Sequence, residues 1–253
     1  MTTTNSNQLA SKIVLITGAT SGIGKQTALL LASKGFLVYG TARNVEGKNL
    51  PFRLLPMDVR EPASIKQAVQ QILSEVGRID VLINNAGFGK LGTFNNMSGR
   101  DNVDLINTNI TALTLLSQEF IKTQKKGYIL NVASIAAFLP GPLLSTYYAS
   151  KAYVLSLSTA VNEELKRSGK PISVTTLCPG PMKTEFFSTA GASKEFATAA
   201  PRDCAKRGLK AMFRRKSLVF SDNLTALGAL GSRFMPLGLI TKISYRVQRS
   251  KLL

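Results

Sequence analysis

The sequence predicts an α/β fold: a parallel sheet covered by helices on both faces, in a single domain with a basic C-terminal extension. Three observations carry the prediction. Apolar runs of strand length alternate along the chain with helix-length stretches, the pattern of repeated strand–helix–strand units. The runs are nearly continuous in Val, Ile and Leu, as strands are when both of their faces are buried. The first of them opens into a glycine-rich turn followed by a helix, an arrangement that puts a crevice at the end of a parallel strand. A chain of 253 residues with 44% hydrophobic content has the material for one such core.

Each element follows in order. Ile13, Val14, Leu15 and Ile16 form the first strand, β-branched at three positions and closed by Thr17-Gly18. A helix over 25–33 is ended by Gly35. Residues 36–41 read as a second strand, and Leu54, Leu55 and Met57 mark a third that ends at Asp58. Residues 62–76 read as a helix, with Pro62 in the first turn, where its missing N–H is not needed. Strands over 80–84 and 128–132 come next, then a long helix over 146–167 and a sixth strand over 172–177. A basic helix over 202–216 and a short strand over 217–220 complete the domain. With no linker or repeat inside it, the domain is expected over 12–222, between a polar, mobile tail over 1–11 and a basic amphipathic extension over 223–253.

Composition narrows the chemistry. Histidine is absent, which removes Ser-His-Asp hydrolysis, Cys-His chemistry and nearly every common zinc site, so no metal centre is expected. Cys178 and Cys204 have neither metal nor redox spacing and are expected to be reduced and structural, in keeping with a cytoplasmic protein. Residues 1–11 lack the basic-then-apolar layout of a signal peptide, and no apolar run is long enough to span a membrane. The formal charge of +18 is uneven: residues 201–253 hold twelve Lys and Arg against two Asp. Charge of this kind invites nonspecific, salt-sensitive contact with nucleic acid. Specific recognition is not expected, because there is no helix-turn-helix, no stacking module and no Trp.

The turn after the first strand reads Thr17-Gly18-Ala19-Thr20-Ser21-Gly22-Ile23-Gly24. Its glycines let the main chain approach a pyrophosphate, and the following helix offers unpaired N–H groups to the anion. The spacing is Gly-x3-Gly-x-Gly, unlike the common Gly-x-Gly-x2-Gly fingerprint. A carboxylate at the end of the second strand would hold the ribose hydroxyls of NAD. Ala42 and Arg43 stand there instead. An arginine pairs with a 2′-phosphate, so NADP(H) is the expected cofactor.

At this point the chain resembles the short-chain dehydrogenase/reductase family. The markers that carry the resemblance are Thr17-Gly18-x3-Gly22-x-Gly24, Asn84-Asn85-Ala86-Gly87, Asn109, Ser134, Tyr147-x3-Lys151 and Pro179-Gly180, in the family's order across residues 12–184. The resemblance implies a Rossmann-type, doubly wound sheet of about seven strands and a homodimer or homotetramer. It implies that Gly18, Thr20, Ser21, Gly22, Ile23 and Gly24 cradle the cofactor, that Asp58 and Val59 contact the adenine, and that Asn85, Ala86 and Gly87 line the groove. Pro179 and Gly180 would pass beside the nicotinamide, with Thr184 bonded to the cofactor. Ser134 would bond the substrate oxygen, Lys151 the nicotinamide ribose, and Asn109 a water in a relay to Lys151.

The acid–base logic also follows from the residues. Tyr147 and Lys151 lie four apart on one helix face. An ordinary tyrosine, with a pKa of about 10, is a poor proton donor or acceptor at neutral pH. A nearby ammonium and the positive nicotinamide of an oxidised cofactor would lower it. Tyr148, three from Lys151, shares that face by spacing; the family pattern selects Tyr147.

The expected reaction is hydride transfer between NADP(H) and a carbonyl–alcohol pair, with a non-catalytic NADP(H)-binding sensor or scaffold as the alternative. Phe186, Phe187 and Phe196 lie in a region expected to form an apolar lid over 185–215, which suits a lipophilic ketone or aldehyde, although packing on the core explains them equally. The extension mixes Lys242, Arg246, Arg249 and Lys251 with Ile243, Tyr245 and Val247. It suits peripheral contact with an anionic membrane, packing against a partner subunit, or a free basic end.

Overall fold

The computed structural model describes residues 12–182, 186, 190–191 and 199–252. The N-terminal tail, Thr184, Phe187 and Phe196 therefore lie outside the described residues. Seven parallel strands form one sheet: β1 Ile13–Thr17, β2 Leu37–Ala42, β3 Arg53–Pro56, β4 Val81–Asn84, β5 Gly127–Val132, β6 Ile172–Cys178 and β7 Leu218–Phe220. Their order is β3-β2-β1-β4-β5-β6-β7. Chain order reverses beside β1, whose neighbours are β2 and β4. Such a reversal opens a crevice at the carboxyl ends of the strands, and the functional cleft lies there.

Successive side chains of a strand point to opposite faces, and β1 shows the consequence. Ile13 and Leu15 join one core with Ile65 and Ile72 of α2 (Pro62–Val76), Leu116 and Phe120 of α4 (Ala112–Thr123) and Leu165 of α5 (Ser145–Arg167). Val14 and Ile16 join the other with Ala28 and Leu31 of α1 (Gly22–Ala32) and Cys204, Leu209 and Met212 of α6 (Pro201–Phe213). Both faces are apolar, so the strands read as unbroken runs. Pro62 stands in the first turn of α2, and Gly77, at φ +75°, ends it with its N–H on Leu73 O.

Between β4 and β5, where the sequence prompted no element, α3 (Gly99–Ile106) begins at Ser98, whose Oγ accepts from Asp101 N. A π-helical turn over Asn107–Thr111 joins it to α4. The wider turn shifts the helical period, so the two helices do not read as one amphipathic pattern.

The C-terminal part differs most from expectation. The second half of the expected lid is α6, packed into the core against α1 rather than over the cleft. Beyond β7, α7 (Asn223–Ser232) is capped by Asp222, whose carboxylate accepts from Thr225 N at 2.7 Å. The last helix, α8 (Leu237–Arg249), buries Ile240, Ser244 and Gln248 along one stripe. The extension is thus not a free basic end. It folds back onto the domain.

Candidate active site

A single cleft of ≈1030 Å³ runs from the glycine-rich turn to the start of α5. At one end the turn is held by reciprocal bonds. Thr17 Oγ1 accepts from the N–H groups of Asn85 and Ala86, and Asn85 Nδ2 donates to the carbonyls of Thr17 and Gly18. Gly18 has φ +65° and Gly22 φ +52°, which only glycine adopts at low cost. A Cβ on Gly24 would lie 2.3 Å from both Gly18 O and Asn85 Nδ2. Gly24 therefore permits close packing beneath the turn, and it does not line the cleft. Asn85 lines it while its carboxamide acts as a clamp.

Thr20, Ser21, Gly22 and Ile23 face the cleft at the start of α1. No side chain caps this helix end and its first turn holds no acid, so its N–H groups and dipole are directed at the space in front. Arg43 and Lys48 line the next stretch of wall, with Asn44 between them in sequence. Lys48 was not singled out by sequence reasoning, since a loop lysine carries no spacing signal.

Asp58 and Val59 also line the cleft, but the Asp58 carboxylate is held by Arg60, from Nη2 at 2.6 Å and from Nε. Arg60 reaches on to Asp104 of α3 at 2.7 Å. The arginine beside it holds the Asp58 carboxyl below its ordinary range. Asp58 is thus shared between the cleft wall and a clamp that ties β3 to α3, a contact 44 residues long that no local motif announces.

At the other end stand Ser134, Tyr147 and Lys151, each at most 9% exposed. Lys151 Nζ donates to Val132 O at 2.8 Å and lies 5.7 Å from the centre of the Tyr147 ring. Burial pushes Lys151 down to about 8. Burial also raises the Tyr147 phenol well above its ordinary value, while the Ser134 hydroxyl beside it pulls the other way. The expected lowering named two cations, the ammonium and the positive nicotinamide of an oxidised cofactor; within the protein alone, burial is the largest influence on Tyr147 and raises it. Cys178 is a buried free thiol, pushed up to about 12 by desolvation, and it stays neutral there.

Packing separates the two tyrosines. Tyr147 turns to the Ser134–Lys151 side and stacks against Phe186, ring centres 5.0 Å apart. Tyr148, although it borders the cleft, accepts from Gln248 Nε2 of α8 at 2.5 Å. Phe88, Leu91, Leu144 and Phe186 pack around Tyr147 as an apolar wall. Gly89 makes room for it, because a Cβ there would lie 2.9 Å from Phe186.

Asn109 sits in the π turn behind the cleft wall. Its Nδ2 donates to Phe88 O and Ser150 Oγ, each at 3.0 Å, and its Oδ1 accepts from Phe88 N. Both amide hydrogens are committed, so the side chain positions the Phe88 loop and has no N–H left for a relay water. Ala86, Gly87, Pro179 and Gly180 line the groove, and a Cβ on Gly87 would lie 3.3 Å from Lys151 Nζ. Gln248 and Lys251 line it too. Sequence reasoning did not place them there, because only the return of α8 brings them to the cleft. Among the described residues no cluster of His, Cys, Asp or Glu is arranged to hold a metal.

A profile of the short chain dehydrogenase family matches residues 12–195. Over 187 residues the chain is 36% identical to the 3-ketodihydrosphingosine reductase of Bacteroides thetaiotaomicron, a match covering 72% of this chain and 68% of that protein. It is 30% identical over 210 residues to a 3-oxoacyl-(acyl-carrier-protein) reductase of Vibrio cholerae, covering 79% and 85%. A solved short-chain dehydrogenase from Sphingobium yanoikuyae, in complex with NADPH, superposes with a TM-score of 0.73 at 32% identity, covering 88% of this chain and 93% of that one. The profile match over most of the chain, the identity to these relatives and the shared fold place the protein in the short-chain dehydrogenase family.

Proposed function

We propose that the protein is an NADPH-dependent reductase of a lipophilic ketone or aldehyde, with Tyr147 as the proton donor. The observation that carries this reading is one cleft with a backbone cradle at one end and the buried Ser134–Tyr147–Lys151 cluster at the other. The cradle fits a dinucleotide: two positive-φ glycines, an uncapped helix N-terminus and two wall cations. NADPH, when bound, supplies the hydride that reduces the carbonyl carbon.

The chain's own groups do the rest. Arg43, assisted by Lys48, meets the 2′-phosphate, and no carboxylate from the end of β2 lines the described cleft to repel it. The Ser134 hydroxyl orients the substrate oxygen towards Tyr147. As that oxygen gains negative charge, the Tyr147 O–H bond breaks and its proton completes the alcohol. A phenol raised by burial keeps its proton at neutral pH, and positive charge brought beside it would make it a better donor. Lys151, at about 8, exchanges a proton close to neutrality and is suited to restore the phenol. Pro179 and Gly180 flank the nicotinamide end, with Thr184 following them in sequence.

Phe88, Leu144 and Phe186, which line the cleft beside Tyr147, support a lipophilic substrate. So do relatives that carry the names of a ketosphingolipid reductase and an acyl-chain ketone reductase. For subunit pairing, the exposed apolar residues Val103, Ile106, Leu115 and Tyr153 on α3, α4 and α5 offer a surface.

The test is NADPH oxidation by the purified chain against ketones and aldehydes graded from short to long acyl, with NADH and Tyr147→Phe as controls. Turnover that requires Tyr147, prefers NADPH and rises with chain length is expected. Tight NADPH binding without turnover on any compound would overturn the catalytic reading.

A further inference from the structure

Helices α7 and α8 show opposite characters on their two sides. Inward, Ala229, Ile240 and Gln248 are buried, and Gln248 holds Tyr148 at the cleft. Outward, large apolar side chains stand in water: Leu224 is 68% exposed, Leu227 67%, Leu237 70%, and Phe234, in the loop between the helices, 89%. Leu239, Ile243 and Val247 continue the pattern along one flank of α8. Scattered exposed leucines are ordinary; this many within thirty residues mark a surface that something covers.

The cations of the same segment identify the partner. From residue 223 onward the chain has five Lys and Arg and no acid. Lys242, Arg246 and Arg249 form one exposed stripe of α8 at helical spacing, and with Thr241, Tyr245 and Pro142 they line a shallow groove of ≈650 Å³. A second copy meeting this face about a two-fold axis would set like charges against one another. A nucleic acid would use the cations and leave the leucines and Phe234 in water. An anionic bilayer satisfies both, taking the apolar side chains into the acyl boundary and the cations among the headgroups.

We propose that α7, α8 and the loop between them are a membrane-docking surface for anionic lipid bilayers, with Phe234 inserted and headgroup phosphates seated on Lys242, Arg246 and Arg249. The attachment is peripheral, since no described helix is long and apolar enough to cross a membrane. It brings the substrate end of the cleft towards the lipid surface, because Gln248 on the inner side of α8 lines the cleft. Docking is measured without turnover, so it stands or falls separately from the catalytic reading.

The chain contains no Trp, so Phe234→Trp gives the full-length protein a single reporter. With vesicles of phosphatidylcholine and phosphatidylglycerol its emission shifts to the blue and is quenched by brominated acyl chains; with phosphatidylcholine alone it does not move. Removing the groove cations in a Lys242→Gln, Arg246→Gln, Arg249→Gln variant lowers vesicle co-sedimentation by about tenfold or more. Removing three exposed cations elsewhere, Lys122→Gln, Lys125→Gln and Lys126→Gln, leaves it nearly unchanged. All seven substituted sites are exposed, and thermal melts confirm that each variant folds. Three results overturn the proposal. One is sedimentation with no blue shift, which means charge adsorption only. Another is equal loss in both triple variants. The third is a lipid-independent dimer abolished by Phe234→Ser, which gives the face to a second copy.

Discussion

The two ends of the cleft are built by different means. The end proposed for the cofactor is mostly backbone: positive-φ glycines, an uncapped helix start and a turn locked by Thr17 and Asn85. The end proposed for the substrate is side chains drawn from distant parts of the chain, with Phe186 and Gln248 converging on two adjacent tyrosines. A backbone cradle needs particular residues at fixed local spacing, so it leaves a motif. A packed wall needs only shape and apolar character, which many residues supply, so it leaves none.

The comparison breaks most visibly at the tyrosines. Tyr147→Phe is expected to lower kcat by about 10²–10⁴-fold while NADPH binding, followed by fluorescence titration, changes little. Tyr148→Phe should keep most of its activity, since its hydroxyl serves the contact to Gln248. Comparable losses in both would mean that packing does not separate their roles.

Lys151 gives the next largest effect. Its ordinary value is 10.5 and burial takes it to about 8. The native state therefore binds fewer protons than the unfolded one between those values, and stability rises with pH across that window. The cost is fully present below pH 8. Relative to Lys151→Met, wild type should gain on the order of 3 kcal/mol from pH 8 to 10.5 in denaturant titrations. A flat difference would show that the amine is solvated.

A test of the cofactor end comes from Arg43→Ala. Loss of one charge-assisted contact should reduce the NADPH-to-NADH ratio of kcat/KM by about 10–100-fold, with the NADH value nearly constant. An unchanged ratio would transfer the phosphate to Lys48. The smallest effect is expected from Gln248→Ala: a rise of roughly threefold in KM for long acyl ketones, with the Kd for NADPH unaltered. If NADPH affinity fell instead, α8 would belong to the cofactor end.

Much of the fold was legible because parallel strands buried on both faces are written as apolar runs, from Ile13-Val14-Leu15-Ile16 onward. The helices α3 and α4 were not, because the π turn at Asn107–Thr111 breaks the period between them. Gly24 was found by its motif, yet its task of admitting Asn85 beneath the turn emerged only from the packing.

The sequence by itself determined the doubly wound sheet, the glycine-rich cradle and the Ser134, Tyr147 and Lys151 set, since each rests on local spacing or periodicity. Tertiary structure alone decided three other matters. It gave Tyr148 to Gln248 and turned Tyr147 to the cleft, although both sit on the Lys151 face by spacing. It committed Asn109 to the Phe88 loop and Asp58 to Arg60. It folded the basic extension back on the domain, with Gln248 and Lys251 at the cleft wall and the other side left apolar and charged. The physical reason is common to all three. Hydrogen-bond partners and burial depend on what the whole chain brings within a few ångströms, and that information is not carried by any short stretch of it.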